Sequence, residues 1–108
     1  MQEWDKYRET KIVRGDLIDR IKNYKQKDWI KALKKLGVIV STKYGKGHHA
    51  VAYKDGCPPD DKRCVIATLA DLHSEIQRDI FKKVLTYGLE NGRYNESDVW
   101  KALGIKVK

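Results

Sequence analysis

The sequence has no long apolar run and is poor in cysteine, proline and phenylalanine. No stretch approaches the roughly 18–20 apolar residues that a membrane-spanning helix requires, so we expect no membrane partner. The N-terminus has no apolar stretch behind a basic start, which argues against a signal peptide and favours a cytoplasmic protein. The chain also lacks repeats and long linkers, and its 108 residues fit one domain, residues 1–108.

The two cysteines, Cys57 and Cys64, flank a short polar stretch that contains both prolines. They can face each other across a hairpin, but in a sequence of cytosolic character we expect free thiols rather than a disulfide. Zinc ligation by these cysteines together with His48 and His49 matches no standard finger spacing. The sequence therefore predicts no metal and no cofactor.

Acidic residues are few relative to basic ones. The chain has 23 Lys and Arg against 15 Asp and Glu, a formal net charge of +8. Residues 1–36 hold 11 basic and 6 acidic groups, so +5 of this excess lies in the N-terminal third. Such a balance favours a polyanionic partner such as nucleic acid, and a merely solvated surface is the alternative interpretation of charge alone.

Apolar periodicity predicts two helices in the N-terminal third. The first begins near Asp16. The second spans residues 28–36, with Asp28 as its cap and Gly37 as the left-handed residue that ends it. The side opposite its apolar residues carries four lysines: Lys27, Lys31, Lys34 and Lys35. We favour a phosphate-facing strip over a solvated helix face, because the one acid within this stretch, Asp28, is assigned to the helix cap and leaves the lysines uncompensated.

Three strands follow, at residues 38–42, 48–54 and 64–69. Their short links predict an antiparallel meander. The second strand begins with adjacent histidines, His48 and His49. Because side chains alternate along a strand, the two point to opposite faces, and only one of them can serve a given site.

Two further helices follow the strands. Ser74 is the predicted cap of a helix over residues 75–87, which Gly88 is predicted to end. Ser97 is the predicted cap of a last helix that reaches Leu103. The predicted fold is therefore α+β: a three-stranded antiparallel sheet packed against helices in the order α-β-β-β-α, with an extra N-terminal and an extra C-terminal helix.

Three motifs in residues 27–89 carry a family resemblance. The helix before the sheet reads D-W-I-K-A-L-K-K-L-G, the turn into the second strand reads G-K-G-H-H, and the helix after the sheet reads E-I-Q-R-D-I-F-K-K-V-L-T-Y-G-L. In this order and spacing they resemble the HicA family of small bacterial toxins. The resemblance implies a fold like the double-stranded-RNA-binding domain (dsRBD-like), with residues 1–26 and 90–108 as N-terminal and C-terminal helical extensions.

The same resemblance implies a function and a catalytic residue. HicA-like proteins are mRNA interferases, the toxins of type II toxin–antitoxin systems, and a HicB-like antitoxin would be the protein partner. The catalytic histidine would be His49, with His48 as the alternative, since a histidine can act as general acid or base without a metal.

Further contacts to RNA are predicted around these histidines. Lys43 and Lys46 could stabilise charge on the phosphate, and Tyr53 could stack on an unpaired base. The lysines of the second helix, Lys31, Lys34 and Lys35, would contact the backbone. A non-catalytic RNA-binding module of the same fold is the alternative, because Gly47 stands where the family's turn has serine. A protein-docking domain is a third interpretation.

Overall fold

The structure, a computed structural model, describes residues 9–41, 50–56, 64–69, 72 and 74–106. Within these residues, four helices and a three-stranded antiparallel sheet follow one another in the predicted order. The predicted α+β class is therefore confirmed, and the arrangement is compatible with α-β-β-β-α. No helix in this part of the chain is long and apolar enough to cross a membrane.

The regular elements of the described residues are, in chain order, a 3-10 helix (Gly15–Ile21), α1 (Gln26–Lys35), β1 (Ile39–Ser41), β2 (Ala50–Tyr53), β3 (Val65–Leu69), α2 (Ser74–Glu90) and α3 (Glu96–Ala102). The 3-10 helix buries three of the apolar residues that predicted the first helix: Leu17, Ile18 and Ile21. Gly37 has φ 79° and follows α1, so the predicted left-handed end of that helix is confirmed.

The sheet has β2 at its centre, paired antiparallel with β1 on one side and β3 on the other. Ala52 pairs with both Val40 and Ala67, and the side chains of this row point toward the core. The next pair of β2 and β3 shifts register, which leaves Ile66 as the extra residue of a β-bulge. Small residues at the centre of the sheet let the helices approach it closely.

The helices cover one face of this sheet. α1 packs on β1 and β2, α2 packs on β3, and α3 packs on both α1 and α2. The largest fully buried side chains between them are Trp29, Phe81 and Trp100, and the ring centroids of the last two lie 4.2 Å apart. Aromatic side chains of this size supply much of the hydrophobic stabilisation of a small domain. The C-terminal helix therefore shares the core of the α-β-β-β-α unit.

A buried amide connects three of these elements. Gln77 is fully buried in α2, where its Oε1 accepts a hydrogen bond from Nε1 of Trp29 and its Nε2 donates to the carbonyl of Tyr24 at 2.7 Å. The Tyr24 hydroxyl in turn donates to the carbonyl of Leu103 at 2.6 Å. Because an unpaired buried polar group is costly, these bonds fix α1 relative to α2 and to the end of α3.

A single carboxylate fastens the N-terminal segment to α3. Glu96 accepts hydrogen bonds from the backbone N–H of Val13 at 2.7 Å and of Arg14 at 2.8 Å. It also accepts one from Nε1 of Trp100 at 3.1 Å. The predicted N-terminal and C-terminal extensions thus hold each other.

Two predicted helix caps are wrong. Asp28 is the third residue of α1, and its Oδ2 accepts from the backbone N–H of Lys25 at 2.8 Å. In α3 the cap is Asn95 instead of Ser97, because Asn95 and Asp98 exchange side-chain-to-backbone bonds of 2.9 and 3.0 Å. In both helices a carboxylate at the third position reaches back to the chain, which is half of a capping box.

The predicted end of α2 at Gly88 is also wrong, since the helix continues to Glu90. The glycine serves close packing: a Cβ there would lie 2.1 Å from Cε1 of Tyr94. The prediction of free thiols fails as well. Cys64 is disulfide-bonded, and the only other cysteine in the chain, Cys57, lies outside the described residues.

Candidate nucleic-acid interface

The histidine pair directly precedes β2 in the sequence. His48, His49, Lys43 and Lys46 all lie outside the described residues. The first described residue after them is Ala50, whose backbone N–H donates to Oε1 of Gln26 at 3.0 Å. The side chain of the first residue of α1 therefore fixes the backbone that immediately follows the histidines.

Several elements meet around Ala50. It is fully buried and pairs with Leu69, the last residue of β3, while its neighbour Val51 pairs with Ser41, the last residue of β1. We call this the Ala50 end of the sheet. The first turn of α1 belongs to it through Gln26. The backbone at the start of β2, which directly follows the histidine pair in the sequence, is thus held by strand pairing and by Gln26.

Tyr53 does not remain a candidate for RNA contact. Its side chain is 2% exposed, so its ring offers no open face for a base to stack on. The reason lies in β2, whose four residues are all buried although they alternate between the two faces of the sheet. Because β2 is the central strand and is buried on both faces, neither set of its alternating side chains is open to solvent.

The predicted lysine strip is present on α1. Its members, which we call the lysine strip, are all exposed: Lys27, Lys31, Lys34 and Lys35. The opposite side of the helix buries Trp29 and Leu33 completely. Three members recur at spacings of four and three residues, so they form one stripe roughly 10 Å long at about 1.5 Å per residue.

The charges of the lysine strip are not neutralised within the described part of the chain. None of its four side chains takes part in an ion pair or hydrogen bond with a described residue. Surface ion pairs stabilise a fold little in any case. Exposed lysines that lack acidic partners leave a positive field available to a polyanion.

A second basic feature lies where α1 ends. An open groove of about 460 Å³ lies between the end of α1 and α3. Its lining includes three basic residues and one acidic residue, and the full set is Lys35, Leu36, Arg93, Tyr94, Asp98, Lys101 and Ala102. We call it the α1–α3 groove. No local sequence pattern points to it, because its cations come from three separate elements and meet only in the folded chain.

Arg93 is held in a defined position at this groove. Its Nη2 donates to Oδ2 of Asp55 at 2.8 Å, and its guanidinium carbon lies 5.5 Å from the ring centroid of Tyr87. The Tyr87 hydroxyl accepts from the backbone N–H of Asp55 at 3.0 Å. The hydrogen bond from Arg93 lowers the pKa of the Asp55 carboxyl below its usual range, so the pair stays charged at neutral pH.

The Ala50 end and the α1–α3 groove lie at opposite ends of α1. Gln26 is the first residue of that helix and Lys35 is its last, and at about 1.5 Å per residue they are roughly 14 Å apart along the axis. Asp55, beyond the other end of β2, contacts the groove residue Arg93. The lysine strip runs between the two ends, and Lys35 belongs to both the strip and the groove.

A metal site is not present in the described part of the chain: no three His, Cys, Asp or Glu side chains there are grouped so that they could hold an ion. No protein-family model, no curated protein and no solved structure matches the chain. The resemblance to the HicA family therefore stays a prediction that rests on the sequence motifs.

Proposed function

We propose that this chain is a toxin-type endoribonuclease that acts on mRNA without a metal. His49 would be its general acid or base, and His48 is the alternative. The observation that carries the proposal furthest is the lysine strip, a row of exposed cations on the helix that precedes the sheet, with no acidic partner among the residues that the structure describes. The reaction itself rests on the resemblance of residues 27–89 to HicA.

The charge of the lysine strip predicts how strongly binding depends on salt. For single strands, each neutralised phosphate contributes about −0.7 to the slope of log affinity against log salt concentration. Four contacts would give a slope of about −3. Lys31→Ala or Lys34→Ala should each make that slope less steep by about 0.7, while Lys11→Ala, an exposed lysine in the N-terminal segment, should leave it unchanged.

The proposed chemistry needs one base and one acid. A base takes the proton of a ribose 2′-OH, its oxygen forms a bond to the adjacent phosphorus, and the bond from phosphorus to the 5′-oxygen breaks as an acid protonates that oxygen. The products are a 2′,3′-cyclic phosphate and a free 5′-OH. Lys43 and Lys46 would stabilise the charge that develops on the phosphate.

Gln26 supports this assignment from the described side. Its bond to the N–H of Ala50 fixes the backbone one residue after His49, and catalysis requires that a proton-transferring group keep its position. Gln26 would be a positioning residue. Its amide contacts the backbone of β2 and not the reacting phosphate, so it would affect catalysis only by fixing the position of the histidine. The HicB-like antitoxin would be the partner that covers this end in the cytoplasm.

A non-catalytic RNA-binding module is the second candidate. It is favoured by the location of the basic groups, since the lysine strip and the α1–α3 groove could hold RNA without any histidine. Gly47, in the place of the family's serine, favours it too. Both candidates predict RNA binding, and they differ in whether the bound strand is cut.

One experiment separates the two candidates. Purified wild type, His48→Ala and His49→Ala are incubated with end-labelled RNA, and binding and cleavage are measured on the same samples. Cleavage that His49→Ala abolishes while binding persists supports the enzyme, and loss in His48→Ala alone moves the role to that residue. Binding without cleavage by the wild type indicates the module. If the wild type neither binds nor cuts RNA, both candidates are wrong.

A further inference from the structure

We propose that the α1–α3 groove is a phosphate-binding subsite. Its three cations converge from different elements: Lys35 from the last turn of α1, Lys101 from the last turn of α3, and Arg93 from the connection between α2 and α3. Convergence of this kind depends on the tertiary fold. It distinguishes the groove from a row of lysines on one solvated helix face.

Arg93 is prepared to bind an oxyanion. A guanidinium carries five N–H donors in a planar fork that matches two phosphate oxygens. The bond to Asp55 and the contact with the Tyr87 ring fix the plane of this fork and use one terminal nitrogen. The remaining donors have no acceptor among the described residues, so they are available to a ligand in the groove.

Lys35 and Lys101 are available as well. Neither ammonium group makes an ion pair or hydrogen bond with a residue that the structure describes. Both occupy the last turn of a helix, where the carbonyl end of the helix favours a cation. Each can therefore stay near the groove as a mobile ammonium group that adjusts to a bound anion.

The charge of the groove limits what it can bind. Three cations against the Asp98 carboxylate and the Asp55 carboxylate that pairs with Arg93 leave +1, and the Oδ2 of Asp98 already accepts from the backbone of Asn95. The carbonyl ends of α1 and α3 add a partial negative charge, which lowers the effective charge further. A phosphodiester or phosphate monoester suits this field, and a polyphosphate does not.

The phosphate can come from a nucleic-acid strand or from a free phosphate ester. Lys35 joins the groove to the lysine strip, so a strand that follows the strip would place a backbone phosphate beside Arg93. This source rests on the proposed RNA-directed function. The phosphate chemistry of the groove does not depend on it, because a free ester would meet the same donors.

The test is an NMR titration of the full ¹⁵N-labelled chain. Binding is monitored through the backbone amide signals of the groove residues Leu36, Tyr94 and Ala102. The probes are inorganic phosphate, adenosine monophosphate, adenosine and a short single-stranded RNA. We expect saturable shifts with the phosphate-bearing probes and none with adenosine. Lys101→Ala should weaken phosphate binding about tenfold, the effect of losing one charged hydrogen bond. Lys101→Gln should do the same, and both variants should unfold close to the wild-type midpoint, because residue 101 is exposed and a helix-end charge stabilises only slightly.

Arg78→Ala is the matched control, since Arg78 is exposed on α2 nine residues before Tyr87 and should leave the titration unchanged. Shifts with RNA alone assign the phosphate to a strand. Shifts with phosphate and adenosine monophosphate, without RNA binding at any site, support the phosphate subsite and contradict the proposed function. RNA binding that leaves the groove amides unchanged overturns the subsite and spares the proposed function. Equal shifts with adenosine, or no shifts with any probe, also overturn it.

Discussion

Gly88→Ala should destabilise the protein, although it replaces glycine with the best helix former inside a helix. Gly88 lies in α2, two residues before its end at Glu90. In an unobstructed helix the change to alanine stabilises by about 0.5–1 kcal/mol, because glycine loses more backbone entropy on folding. The surroundings of this glycine reverse the expected sign.

The obstruction is the ring of Tyr94. A Cβ at Gly88 would lie 2.1, 2.3 and 2.6 Å from three carbons of that ring. The ring cannot swing outward freely, because Tyr94 is buried and its hydroxyl donates to the carbonyl of Val84 at 2.7 Å. Overpacking costs about 1–3 kcal/mol and a weakened hydrogen bond about 1 kcal/mol. After the helix gain of up to about 1 kcal/mol is subtracted, the net loss is about 1–3 kcal/mol.

Urea denaturation measures this loss as a lower midpoint with an unchanged slope. Gly15→Ala is the matched control, because no atom lies within 4 Å of a Cβ there, and it should be neutral or stabilising. Combining Gly88→Ala with Tyr94→Leu should recover part of the loss, since the shorter side chain removes the ring. A Gly88→Ala protein as stable as the wild type would refute the packing argument.

Three further changes test other contacts. Glu96→Ala should lower stability by about 1–3 kcal/mol, because three donors lose their carboxylate. Glu75→Ala, at an exposed residue of α2, is the control and should cost less than about 1 kcal/mol, the approximate size of a helix-end charge effect. The urea midpoints of the two variants are compared with that of the wild type. Gln77→Leu should cost about 3 kcal/mol, since it leaves a buried indole N–H and a carbonyl unpaired; a near-neutral result would mean that water replaces the amide. Burial raises the pKa of the Tyr94 hydroxyl above its ordinary value, so the folded state keeps this proton above about pH 10 where the unfolded chain loses it. Stability should therefore fall above that pH by up to about 1.4 kcal/mol per unit, and a Tyr94→Phe protein with the same alkaline slope would contradict the assignment.

Hydrophobic periodicity was enough to predict the fold class. The apolar residues of α1 recur at helical spacing and the strands are rich in β-branched residues. Both patterns survive in the structure, because α1 buries one stripe and the strands pair into one sheet. The left-handed end of α1 at Gly37 could also be predicted from the sequence. Its φ of 79° is a conformation that few other residues adopt.

The features that could not be predicted depend on contacts between distant parts of the chain. Gly88 resembles a helix end in the sequence, and only the position of the Tyr94 ring shows that the glycine serves packing. Asn95 and Ser97 are both acceptable caps locally, and the partner at Asp98 decides between them. No local sequence pattern indicates the α1–α3 groove, since Arg93 is oriented by Asp55, which follows β2 and is distant in the sequence.

The separation of the two ends along α1 has a kinetic consequence for the proposed enzyme. Trp29 and Leu33 are fully buried, the Trp29 indole is bonded to Gln77 of α2, and Gln26 is bonded to Ala50, so α1 is fixed relative to α2 and to the start of β2. Cations at Lys34 and Lys35 would then hold the strand about 12–14 Å from Gln26 along the helix axis, away from the phosphate that is cut. Such contacts act equally on substrate and transition state, so their removal should raise KM and leave kcat unchanged. His49→Ala should do the reverse, lowering kcat with little change in RNA affinity. If Lys34→Ala or Lys35→Ala lowered kcat instead, the lysines would act on the reacting phosphate itself. The interpretation that α1 holds them at a fixed distance from that phosphate would then be wrong.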